Sequence, residues 1–66
     1  MKITFNDERI ETFSENILQL LDEQKLTGKK GIAVAVNDLV IPSSRWKEVS
    51  VREEDIILVI TAAAGG

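Results

Sequence analysis

Ala62-Ala63-Ala64-Gly65-Gly66 end the 66-residue sequence, directly after the apolar stretch Ile56-Ile57-Leu58-Val59-Ile60. The chemistry such a segment offers is that of a carboxylate on its last glycine. Small unbranched residues let a chain end thread a narrow channel, and the missing Cβ of glycine lets a partner's backbone and a nucleotide phosphate come close. That is what a chain needs if its own C-terminus is the group to be modified. Chain ends also fray and collect small residues for no chemical reason. The elements that would position the segment have to decide between these readings.

Other chemistry finds little footing in the side chains. Ser14, Ser43, Ser44 and Ser50 have no His, Cys or Tyr to activate them, because the sequence contains none of the three. A self-contained enzyme is not expected. Glu53-Glu54-Asp55 is acidic, but hard cations draw ligands from spaced loop positions rather than three adjacent residues, so it reads as a solvated turn before a strand. Trp46, the single tryptophan, reads as a plug over one end of a small core. Lys25, Lys29, Lys30 and Lys47 are ordinary exposed lysines and carry no assigned role.

Composition narrows the class. With 44% hydrophobic and 29% charged residues, the chain has enough apolar surface to fold rather than remain disordered. At this length it forms one small domain of modest stability, without room for both a core and a deep cleft. The net charge of −3 disfavours nucleic acid, whose phosphates reward clustered Lys and Arg. A protein partner is expected instead. Without cysteine there is no disulfide framework and no thiolate site. No apolar run reaches the ~18 residues of a membrane span, and Met1-Lys2-Ile3-Thr4-Phe5 enters a strand pattern rather than a signal peptide. The expected compartment is the cytoplasm, with no membrane association.

Ile3-Thr4-Phe5 and Ile10-Glu11-Thr12-Phe13 flank the polar stretch Asn6-Asp7-Glu8-Arg9 and predict a hairpin. Ser14 suits a helix N-cap, with the helix starting at residue 15 and Phe13 stapled on Leu18. Ile17, Leu18, Leu20 and Leu21 then share one face, opposite Glu15, Asn16, Gln19, Asp22 and Glu23. The helix should end near residues 24 to 26, where Leu26 adds an apolar contact before the Thr27-to-Gly31 loop. Ile32-Ala33-Val34-Ala35-Val36 predicts an inner strand covered on both faces or nearly so. Asn37-Asp38 predicts a tight reversal into a short edge strand, Leu39-Val40-Ile41, stopped by Pro42. Ser43 to Trp46 reads as a turn or single helical turn, and Val49 and Val51 as a weak extended piece. The last strand covers residues 56 to 61. One amphipathic helix across such a sheet is an α+β layer architecture. The expected division is a domain over 1–61 and a flexible tail over 62–66.

The order β-β-α-β-β-β ending in Gly-Gly resembles the ubiquitin-like β-grasp fold, a mixed sheet of four to five strands with one helix across one face. Val36-Asn37-Asp38-Leu39-Val40-Ile41-Pro42, with Trp46 four residues past the proline, is similar to the V-N-x-x-x-V/I-P-R-x-x-W segment of the ThiS family, the sulfur carriers of thiamine biosynthesis. The resemblance covers essentially the whole chain, including the spacing from Trp46 to Gly65-Gly66. The family's arginine after the proline is Ser43 here, with Arg45 displaced. Its Gly-Asp before the last strand is Glu54-Asp55, which implies a turn without a left-handed glycine.

That resemblance implies a mechanism. An α-carboxylate is ionised at neutral pH and is a poor electrophile. In the family an adenylating enzyme of the ubiquitin-activating type, ThiF-like, uses ATP to convert the terminal glycine to an acyl-adenylate. Sulfur from a sulfur-donating enzyme then displaces AMP, and the thiocarboxylate goes to a ThiG-like thiazole synthase. The chain itself binds no cofactor in this scheme and is expected to be a monomer when free. Gly66 is the implied modified residue, Gly65 the clearance residue, and Ala62, Ala63 and Ala64 the part threaded through the partner. The competing expectations are a protein modifier joined through Gly66 to lysines, a carrier for molybdopterin or another sulfur product, and an interaction domain with an inert tail.

Overall fold

Asn6 and Asp7 both take positive φ, 50° and 68°, the left-handed pair a two-residue hairpin turn of type I′ requires. A computed structural model, which describes residues 1–28 and 31–61, places β1 at Lys2–Phe5 and β2 at Glu8–Glu11 on either side of that turn. The hairpin is tighter than its polar stretch implied. Glu8 and Arg9 lie in the strand rather than the loop, because two residues able to adopt φ > 0 suffice to reverse the chain.

The helix α1 spans Ile17–Glu23, later than the Ser14 cap predicts. Asn16 is the cap, its Oδ1 accepting from Gln19 N at 2.8 Å, and Gln19 Oε1 accepts from Glu15 N at 2.8 Å. Two further amides of the first turn find carbonyls outside the helix, Ile17 N on Val49 O at 3.0 Å and Leu18 N on Trp46 O at 3.2 Å. The start is therefore set by tertiary partners as well as by a cap. Ser14 is buried instead, its Oγ donating to Glu23 Oε1 at 2.7 Å. Phe13 is 88% exposed and makes no staple, and Leu18, at 36%, lies at the margin of the face that buries Ile17, Leu20 and Leu21.

The helix stops one turn before the first glycine. Lys25 takes φ 62°, Leu26 N bonds Leu21 O at 2.7 Å and Lys25 N bonds Asp22 O at 3.0 Å. These are the paired bonds of a Schellman ending, built on lysine where glycine is usual. Leu26 packs on the core as expected. Lys29 and Lys30 lie outside the described residues.

Strands β3 (Ile32–Val36), β4 (Leu39–Ile41) and β5 (Ile56–Thr61) complete a sheet of order β2-β1-β5-β3-β4. β1 and β5 run parallel and the other neighbours antiparallel. β3 is an inner strand and β4 an edge strand ending before Pro42, as read from the pattern. A short 3₁₀ helix at Ser43–Arg45 follows, and near Ser50 there is only an isolated bridge to Asn16.

The core lies between sheet and helix: Ile3, Phe5, Val34 and Ile57 from the strands, Ile17, Leu20 and Leu21 from α1, and Val51 from the connection. Each fully buried aliphatic side chain contributes about 1.5–3 kcal/mol. Trp46 packs against this cluster and donates Nε1 to Ile41 O at 2.9 Å, which fastens the end of β4. The expectation that β3 is covered on both faces or nearly so holds for Val34 and in part for Ile32, Ala35 and Val36, but Ala33 is exposed. α1 shields one side alone, so Ile56, Leu58 and Ile60 of β5 and Val40 of β4 stand exposed on the other. Among the described residues no helix is long and apolar enough to cross a membrane.

Candidate functional site

Residues Ala62 to Gly66, the sequence-predicted site, lie outside the described residues. What the structure shows is the strand that leads to them. β5 is the middle strand of five, paired with β3 through five residues from Val36↔Ile57 to Ile32↔Thr61 and with β1 through Thr4↔Ile56 and Phe5↔Ile57. A segment extending from its end is anchored to the most constrained strand in the sheet.

Both ends of this anchoring use asparagine. Asn37 and Asp38 have φ 50° and 72°, so the β3–β4 turn repeats the left-handed geometry of Asn6-Asp7. Asn37 Oδ1 accepts from Ile56 N at 2.9 Å, and its Nδ2 donates to the buried Asp55 at 3.0 Å. The other oxygen of Asp55 accepts from Arg52 N at 2.8 Å. On the opposite side Asn6 Oδ1 accepts from Val59 N at 2.8 Å. Sequence reasoning assigned the two asparagines to turns and missed these bonds. The repeated Asn-Asp dipeptide was the available signal, since only a side chain on a reversal can reach sideways into the neighbouring strand.

The acidic turn divides its carboxylates rather than pooling them. Glu53 accepts from Lys2 N at 2.7 Å, Glu54 forms a two-point ion pair with Arg9 at 2.6 and 3.0 Å, and Asp55 is engaged as above. Hydrogen bonding to Arg9 lowers the pKa of Glu54 and raises that of Arg9. Glu54 has φ 69°, so the turn keeps a left-handed residue although glycine is absent. Among the described residues no group of three or more acidic side chains is placed to hold a metal ion.

A concavity of about 540 Å³ includes Asn37, Glu48, Arg52 and Asp55 in its lining. Asn37 and Asp55 are committed to holding the start of β5, which leaves that hollow structural. A smaller cleft of about 190 Å³ runs over the open face between Asp7 and Asp38, floored by Ala35, Ile56 and Leu58. An exposed apolar surface thus lies on the strand that leads to the tail. Its signal in the sequence was the single helix, which can cover one side of a sheet only.

The sequence model of the ThiS family matches residues 3–66. This chain belongs to the ThiS family. The chain is also similar to the sulfur carrier protein ThiS of Escherichia coli strain K12, with 32% identity over 66 residues that cover all of both chains. The crystal structure of a thiamine biosynthesis protein (ThiS) from Geobacter metallireducens superposes with a TM-score of 0.86 at 20% identity, again over all of both chains. At that identity the second likeness speaks for the fold, the ubiquitin-like β-grasp. The family match includes the Asn37-to-Trp46 segment, whose structural content is now explicit: Asn37 locks β5, Pro42 ends β4 and Trp46 closes the core.

Proposed function

We propose that this chain, a sulfur carrier protein of the ThiS family in thiamine biosynthesis, carries its sulfur on the carboxylate of Gly66. An adenylating enzyme of the ubiquitin-activating type joins that carboxylate to AMP from ATP, releasing pyrophosphate. A sulfur-donating enzyme then supplies a sulfur that attacks the acyl carbon and expels AMP. Once that sulfur is at the sulfide level, directly or after a thiol reductant cleaves its bond to the donor, a thiocarboxylate is left for a thiazole synthase to consume. The catalysis belongs to the partners, and the chain supplies grip and reach. Support comes from the family match, which runs through residue 66, on a segment that follows the central strand.

Positioning and charge stabilisation by the partner drive the adenylation. The rigid domain fixes where the tail starts, and the small residues Ala62, Ala63, Ala64 and Gly65 let it pass. Gly65→Val accordingly folds as the parent does but is not adenylated, because a branched Cβ obstructs the channel. Pyrophosphate release with the host's adenylating enzyme measures this, and equal rates for the two proteins would remove Gly65 from the mechanism. Intact-mass analysis of protein isolated from its host grown without thiamine tests the reading itself. One sulfur in place of one oxygen, localised to Gly66, supports it. Gly66 joined to lysines of other proteins would make the chain a modifier instead.

A further inference from the structure

Asp7 and Asp38 hold the second positions of their turns at φ 68° and 72°, where glycine is the usual residue of a type I′ reversal. The carboxylates around the strand ends are otherwise answered from within: Glu11, Glu53, Glu54 and Asp55 each accept from an internal donor. Asp7 and Asp38 enter none of the ion pairs among the described residues. Both line the cleft of about 190 Å³ on the open face, and no lysine or arginine shares its lining. On its floor Ile56 and Leu58 are 57% and 41% exposed. Two unanswered negative charges thus flank an apolar strip.

A protein that covers Ile56 and Leu58 also takes water away from Asp7 and Asp38. A carboxylate that loses its water without gaining a donor is costly, so the covering surface has to bring a cation. The floor decides which kind. A long aliphatic stem lies along apolar side chains while its charged head reaches past them. A guanidinium is weakly hydrated, planar and carries five N–H groups, enough for both walls, whereas an ammonium holds its water and carries three. We propose that the cleft between Asp7 and Asp38 is a receptor for an arginine side chain presented by one of the two enzymes that take up Gly66. The choice of partner rests on the Gly66 reading, and the chemistry of the cleft does not. A chain of net charge −3 also draws a basic surface toward it during encounter.

The test uses the full chain carrying Asp7→Asn and Asp38→Asn together. Asparagine enters the left-handed region as readily as aspartate, so both turns persist and urea unfolding should match that of the parent. Binding is measured to the host's adenylating enzyme and to its thiazole synthase. The double variant should bind one of them about tenfold more weakly and lose much of the parent's salt dependence. Glu8→Gln with Glu15→Gln removes the same charge outside the cleft and should bind both enzymes as the parent does.

Acetyl-argininamide serves as a probe that needs neither enzyme. It should shift the amide resonances of Asp7, Asp38, Ile56 and Leu58 of the parent saturably, and acetyl-citrullinamide, neutral and of the same shape, should not. Unchanged binding of the aspartate double variant to both enzymes overturns the proposal and leaves the Gly66 chemistry standing. Equal weakening by the glutamate double variant reduces the effect to net charge and overturns it too, as does a citrulline or lysine probe that binds as well as the arginine one. If the aspartate double variant does not fold, the probe on the parent decides. A parent that binds neither enzyme removes the Gly66 reading and the assigned partner, and the probe then decides the cleft alone.

Discussion

Asn6-Asp7 and Asn37-Asp38 are the same dipeptide in the same left-handed turn, and both lean on β5, yet they do different work. Asn37 uses both ends of its amide, accepting from Ile56 N and donating to Asp55, so a buried carboxylate, a strand start and a turn depend on one side chain. Asn6 uses one end and holds the single amide of Val59 where the β1 ladder runs out. Identical local geometry therefore carries unequal free energy, and what separates the two turns is the burial of what each one satisfies.

The largest effect expected from breaking this comparison is at Asn37. Asn37→Ala leaves Ile56 N without its acceptor, takes a donor from Asp55 and puts a Cβ-bearing residue without local bonding at positive φ, for a loss of about 2–4 kcal/mol in urea unfolding. Asn37→Gly should recover about 1 kcal/mol of that, the part due to backbone strain alone. At Asn6 the corresponding alanine variant should lose about 1–2 kcal/mol, since one exposed bond and the strain are all that is at stake. Equal losses at the two sites would mean that the turn geometry, not the buried Asp55, sets the cost.

A charged counterpart sharpens the contrast and has the smallest effect. Glu23 ties the segment before the helix to its end through Thr12 Oγ1 at 2.6 Å and Ser14 Oγ at 2.7 Å. The hydrogen bond from Thr12 first, and that from Ser14 next, hold its carboxyl below the usual pKa. Stability from this source is complete above the ordinary glutamate pKa and is lost as pH falls through the lowered folded value. Glu23 is exposed, so screening keeps the contribution small. Glu23→Gln should flatten the acid limb of the stability profile slightly, and Asn6→Ala, which touches only a backbone amide, should not change its slope.

The strands and their order were legible in the sequence because their signals are local: β-branched runs, Asn-Asp reversals and a proline stop. The end of the helix, expected near residues 24 to 26, was legible too, with its cap at Gln24, but its start was not. Ser14 is a good cap by type, but its hydroxyl bonds Glu23, and the amides at 17 and 18 bond carbonyls of residues 49 and 46. Such partners are far away in sequence. At the end of the helix Lys25 takes the left-handed position where glycine is usual, since the Schellman bonds and the Leu26 contact with the core outweigh a modest conformational penalty. The candidate site divides in the same way. Its residue types stand in the sequence, whereas the asparagine bonds that fix the strand before them join residues far apart in it, Asn37 to Ile56 and Asn6 to Val59.

The place of β5 in the middle of the sheet has a mechanical meaning. Tension applied at the tail by an enzyme drawing it inward acts along the strand axis, parallel to β1 and antiparallel to β3. The hydrogen bonds to β3 along the strand, and those to β1 at its start, then bear load in shear instead of opening one after another like a zipper. A pull on the end of this chain therefore meets a strand held from the middle of the sheet rather than from its margin.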